Sequence, residues 1–128
     1  MKQNGDTRRF VLIVDPHDGV CAVLRRMLND ANIETVIAKS CAEALTLVKS
    51  HGELIDVLLT ELEGPECAGA GLIADALRHR PHLPIVCMST AANDDVHIRR
   101  LVPARAAVVP KPFTVAQLTA AIARAVAA

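Results

Sequence analysis

Asp56-Val57-Leu58-Leu59-Thr60-Glu61 decides the fold. A short apolar run ending on a carboxylate is read as a strand covered on both faces, with its charged end at the rim of a sheet. Open α/β sheets gather their ligands and chemistry at that rim, outside the carboxyl ends of the strands. The same pattern recurs along the chain. Phe10 to Val14 is followed by Asp15, and Glu34 to Ala38 forms a second run. Ile85 to Ser89 ends on a hydroxyl, and Ala106 to Val109 leads into Pro110-Lys111-Pro112. Two acids and a lysine thus stand at three strand ends and form a charged pocket.

Helical spacing separates these runs. Val20, Val23, Leu24, Met27 and Leu28 mark the first stripe; Ala44, Leu45 and Val48 mark the second, with Ser40 as its N-cap. Leu72, Ile73, Ala76 and Leu77 form the third, which Pro81 stops. Val96, Arg99 and Arg100 lie in a weakly amphipathic fourth. The fifth follows Pro112, is capped by Thr114, and is expected to bury Val115, Leu118, Ile122 and Val126. Five strand–helix units in 128 residues imply right-handed crossovers and one doubly wound sheet.

Composition narrows the function. Hydrophobic residues make up 52%, with no Tyr or Trp and two Phe, so the core is aliphatic. Fourteen basic and fourteen acidic residues cancel, which leaves no overall field for collecting nucleic acid or an anionic membrane. No apolar stretch reaches the roughly 18 residues of a membrane span. Residues 1–8 read as a disordered lead-in without the apolar core of a signal peptide, and 9–128 as one domain. The expected compartment is cytoplasmic. Cys21, Cys41, Cys67 and Cys87 are far apart and are expected to be small buried hydrophobes.

The motifs in order resemble a bacterial response-regulator receiver domain over about Arg9 to Val126. They are Val11-Leu-Ile-Val-Asp15, Asp56-Val-Leu-Leu-Thr-Glu61 with Pro65 four residues on, Leu83-Pro-Ile-Val-Cys-Met-Ser89, and Lys111-Pro-Phe113. The resemblance implies a flavodoxin-like (βα)5 fold, a parallel sheet with helices on both faces. It also implies a role in two-component or phosphorelay signalling. In that family two adjacent acids after the first strand hold magnesium, and an aspartate ending the third strand accepts a phosphoryl group from a histidine kinase. A hydroxyl and a lysine contact that group, and an aromatic in the fifth strand changes rotamer on activation. Carried over, Asp15 matches the first acid, Ser89 the hydroxyl and Lys111 the lysine. Pro16 replaces the second acid, Glu61 the acceptor aspartate and Val108 the aromatic switch.

Those departures change the expected chemistry. Magnesium depends on carboxylate oxygens; proline supplies none, and imidazole from His17 is a poor substitute. Asp15 and Glu61 are therefore expected to hold magnesium weakly or not at all, and no other cofactor is expected. Asp18 reads as a first-turn acid of the first helix. Glu61 reaches about 1.5 Å farther than aspartate, and a ~1 Å displacement costs on the order of 100-fold in rate. A permanent carboxylate beside Lys111 instead imitates the phosphoryl charge. The expected function is a stand-alone pseudo-receiver, not an enzyme, that works through protein contacts with a histidine kinase or a downstream effector. Nucleic acid and membrane are not expected partners. Arg99, Arg100, Arg105 and Arg124 give the surface of the fourth helix, fifth strand and fifth helix a basic edge suited to a partner or a homodimer. The alternatives are a receiver still phosphorylated at Glu61 and a small cofactor-binding flavodoxin-like protein.

Other features carry blander readings. Thr60 is expected to be buried against the sheet. Gly69-Ala70-Gly71-Leu72-Ile73-Ala74 fits a dinucleotide fingerprint, but it starts eight residues after Glu61 and no acid ends the next strand. His79 and His82 flank a helix end without a Cys partner, and His17, His51 and His97 read as isolated.

Overall fold

Five parallel strands form one sheet in the order β2-β1-β3-β4-β5. They are β1 (Phe10–Val14), β2 (Glu34–Ala38), β3 (Val57–Glu61), β4 (Ile85–Ser89) and β5 (Ala107–Pro110). The helices are α1 (Asp18–Asp30), α2 (Cys41–His51), α3 (Gly69–His79) and a C-terminal helix (Val115–Ala127). This computed structural model describes residues 9–61, 69–89 and 99–127. The expected flavodoxin-like architecture is present, and four strands have the bounds read from the sequence. The fifth begins one residue later than expected, because the Ala106 N–H is turned back to the Pro103 carbonyl at 3.0 Å.

Alternation along each strand builds two aliphatic layers. Leu12, Val14, Leu58, Ile85 and Cys87 face Ala44, Val48, Leu72, Ile73 and Ala76 of α2 and α3. Val11, Ile13, Val57, Leu59, Val86 and Met88 face Leu24 and Leu28 of α1 and Leu118, Ala121 and Ile122 of the C-terminal helix. Successive residues point to opposite faces, so a central strand buried on both sides must be apolar almost throughout. The edge strand β2 is only half-buried over most of its length.

Local chemistry sets the helix ends. The Ser40 Oγ accepts the Glu43 N–H at 3.0 Å, the expected cap on α2. Thr114 and Gln117 form a reciprocal box: each backbone N–H donates to the other's side-chain oxygen, at 2.8 and 3.1 Å. At the end of α1, Asn32 takes a left-handed φ of 63°, while Asn32 N–H and Ile33 N–H return to the Asn29 and Leu28 carbonyls. Asparagine tolerates that conformation, which turns the chain directly into β2.

Two stripes sit differently from their expected positions. Val23 is 60% exposed and Val115 38%, so each lies on the solvent flank of its helix. Cys21, Ala121 and Ala125 occupy the buried positions instead. The cysteines divide: Cys21 and Cys87 are free and buried as expected. Cys41, at the start of α2, is disulfide-bonded rather than a simple small hydrophobe. Cys67 and His97 lie outside the described residues. Thr60 is buried as expected, and its hydroxyl donates to the Glu61 carbonyl at 3.1 Å.

Candidate functional site at the carboxyl edge of the sheet

The strand register delivers the predicted side chains to one edge. Val14 pairs with Thr60, Glu61 with Met88, and Ser89 with Pro110. Asp15, Glu61, Ser89 and Lys111 therefore stand at the ends of neighbouring strands, which lie about 4.8 Å apart from one to the next.

Glu61 and Lys111 are joined directly: the Lys111 ammonium donates to Glu61 Oε1. Each side chain is about one third exposed, at 32% and 33%. The Lys111 backbone N–H is fixed to the Ser89 carbonyl at 2.8 Å, which anchors the lysine at this edge; the Lys111–Pro112 peptide is cis.

Asp15 is buried, and its backbone N–H donates to the Ala38 carbonyl at 3.0 Å. One of its oxygens, Oδ1, accepts both the His17 backbone N–H at 2.8 Å and a contact from His17 Nδ1 at 2.9 Å. His17 is thus part of the site's rim, not isolated. Asp-Pro-His carries the signal for this arrangement: an aspartate that accepts the N–H two residues on makes an Asx turn. Beneath it, the Cys21 thiol donates to the Asp15 carbonyl at 3.3 Å. Burial pushes that thiol's pKa up, and the Asp15 charge adds to the effect.

Asp18 opens α1 as a first-turn acid, as expected, and pairs with Lys39 at the end of β2. Among the described residues, Asp15, Asp18 and Glu61 each have a cationic or N–H partner. A magnesium ion would need several oxygens in an octahedral shell. Pro16 offers none, Asp18 faces Lys39, and Glu61 faces Lys111. The donor set does not fit magnesium in this arrangement. Among the described residues no group of three or more His, Cys, Asp or Glu could hold a metal ion.

The remaining predicted positions are also placed. Ser89 is buried at the tip of β4. Val108 is half-buried, and packs against the α2–α3 layer as an aliphatic side chain. The glycines of the dinucleotide-like motif lie in the first turn of α3, and a Cβ on Gly71 would meet nothing within 4 Å. Two of the four edge arginines are engaged internally. Arg99 holds the Ala106 carbonyl at 2.9 Å, and Arg105 holds those of Leu83 and Pro81 at 2.9 and 2.6 Å. Arg100 and Arg124 remain exposed. No helix among the described residues is long and apolar enough to cross a membrane.

Comparison with known proteins places this geometry. Residues 11–123 match the response regulator receiver domain family. The chain is 27% identical over 119 residues to the DNA-binding transcriptional regulator NtrC of Escherichia coli (strain K12), which covers 93% of this chain and 25% of that protein. It is 26% identical over 82 residues to the two-component response regulator-like APRR3 of Arabidopsis thaliana, covering 62% of this chain and 17% of that one. The chain thus spans a quarter or less of the length of these curated relatives. A response regulator receiver domain protein from Clostridium thermocellum superposes with a TM-score of 0.82 at 22% identity, covering 93% of this chain and 94% of that one. A response regulator receiver protein from Sinorhizobium medicae WSM419 superposes with a TM-score of 0.79 at 25% identity, covering 95% and 97%.

Proposed function

Since this chain belongs to the response-regulator receiver domain family, we propose that it is a pseudo-receiver. In this reading it is a signalling module, not an enzyme, whose pocket works without aspartyl phosphorylation. Glu61 occupies the phosphoacceptor position, with Asp15, Ser89 and Lys111 around it. The observation that carries the proposal is the ion pair between Lys111 and Glu61. The lysine that would contact a phosphoryl group is engaged by a carboxylate built into the chain.

The physics favours a standing bias over a switch. Glutamate carries one negative charge where a phosphate would carry roughly −1.5 to −2. A tenfold population shift between two states requires only about 1.4 kcal/mol of differential interaction. A partly exposed ion pair worth up to about 1 kcal/mol supplies a roughly fivefold bias. Val108 has no ring to flip, so the aromatic relay of the family has no counterpart at this position. The metal that assists phosphoryl transfer lacks its second acid at Pro16, and Asp18 pairs with Lys39. Magnesium affinity at Asp15 and Glu61 is correspondingly weak.

The module acts through protein contacts, with a histidine kinase or a downstream effector as partner. The surface we assign runs across residues 99–101, β5 and the C-terminal helix, and it serves equally for self-association. Arg100 and Arg124 supply its free positive charge; Arg99 and Arg105 brace the local backbone. Reversing Arg100 and Arg124 to Glu is expected to abolish partner capture or self-association, and unchanged association would refute the assignment.

Magnesium titration tests the pocket reading. The expected result is no saturable binding below millimolar concentration, followed through the amide signals of Asp15 and Glu61. Millimolar or tighter binding at those residues would favour a receiver that is still phosphorylated at Glu61.

A further inference from the structure

A cleft of about 790 Å³ opens between α1 and the turn that carries Lys111. Val20, Val23 and Met27 of α1 line it together with Met88 of β4 and Phe113. Its volume falls inside the roughly 300–1,000 Å³ typical of small-molecule sites, which are apolar with a few polar groups that fix orientation. Val23, one of these lining residues, is 60% exposed. Lys111 is the one charged residue among those lining the cleft. Its ammonium has three donors, and one goes to Glu61 Oε1.

We infer that this cleft binds a small soluble amphiphile: an apolar chain or ring system bearing a single carboxylate. The apolar body covers Val20, Val23, Met27 and Phe113, and the head group takes the remaining donors of Lys111. Charge complementarity selects the sign of the head, because no acid lines the cleft. Adaptable methionine at two positions suits a ligand chosen by size and polarity more than by exact shape. Ligand and Glu61 then share one ammonium, so occupancy of the cleft weakens the ion pair on which the proposed function rests. The inference depends on that pair, not on the absence of phosphorylation; a phosphoryl adduct on the protein would defeat the function reading and leave this binding site standing.

The test is titration of the intact chain with decanoate, followed by amide and methyl chemical shifts. Saturable shifts are expected at Val20, Val23, Met27 and Phe113. Decanol, which has the same tail without the charge, is expected to bind about tenfold more weakly, the loss of one charge-assisted contact. Glu61→Gln frees the ammonium and is expected to tighten decanoate severalfold. Val23→Glu, on an exposed helix position, keeps the fold by circular dichroism and lowers affinity at least tenfold. Equal binding of decanoate and decanol, or an unchanged affinity in Glu61→Gln, would overturn the inference. So would shifts that map elsewhere. Two further results would overturn it in favour of another occupant. One is co-sedimentation with phosphatidylglycerol vesicles without decanoate binding. The other is a concentration-dependent dimer that Val23→Glu disrupts while decanoate has no effect.

Discussion

Breaking the Glu61–Lys111 pair by double-mutant cycle gives a direct energy for the site's main contact. Two unit charges about 4 Å apart interact by roughly 4 kcal/mol at an effective dielectric near 20. Desolvation and side-chain ordering offset most of that, and exposed pairs measure only about 0.2–1 kcal/mol. Each partner here is about one third exposed, at 32% and 33%, which places the pair near the top of that range. Glu61→Gln, Lys111→Met and the double variant, unfolded in urea, are expected to show a coupling of about 1 kcal/mol at low salt with unchanged m. Raising ionic strength to 1 M, where screening acts over about 3 Å, is expected to remove a substantial part of it. A coupling below about 0.3 kcal/mol, the level at which independent sites add, would refute the reasoning. So would a coupling that is indifferent to salt.

Three further outcomes follow from the structure. Cys87 is fully buried, and burial pushes its thiol pKa up to about 12. The folded state therefore keeps a proton that the unfolded chain gives up first, so this contribution is complete below the ordinary thiol pKa and is lost as pH rises toward 12. In urea titrations, the stability advantage of wild type over Cys87→Val is expected to fall by about 1.4 kcal/mol for each pH unit between those limits; a pH-independent difference would contradict the burial effect. Arg80 donates to the Gly52 and Ile55 carbonyls and braces the approach to β3. Arg80→Ala is expected to cost about 1.5–3 kcal/mol in thermal or urea unfolding, as charge-assisted bonds to carbonyls are lost. Thr114→Ala removes one side of the box that starts the C-terminal helix and is expected to cost about 1 kcal/mol by the same measurement.

The fold was legible because parallel strands buried on both faces leave little freedom in residue type. Val11 to Val14 and Val57 to Leu59 admit no other reading once helical stripes flank them. The site was legible for the same reason: polar residues that end such strands have one place to go. What periodicity could not supply is the angle of each helix about its axis. Val23 and Val115 fit the apolar spacing of their helices, yet the buried arc is centred on Leu24 and Leu118. Small residues, Cys21 and Ala121, share that buried arc. The place of His17 beside Asp15 rests on a backbone bond of the Asx turn over Asp15-Pro16-His17, which the chemistry of its imidazole ring does not reveal. The bond at Cys41 depends on through-space distance, about which widely separated cysteines say nothing. Internal use of Arg99 and Arg105 was equally hidden, because a charge count cannot distinguish a free guanidinium from one that clamps carbonyls.

The central claim is that a fixed carboxylate paired with Lys111 replaces a transient phosphoryl group. Intact mass of the protein after incubation with acetyl phosphate and excess magnesium tests this most directly. The account predicts an unchanged mass for the wild-type chain. A stoichiometric phosphoryl adduct mapped to Glu61 would contradict it.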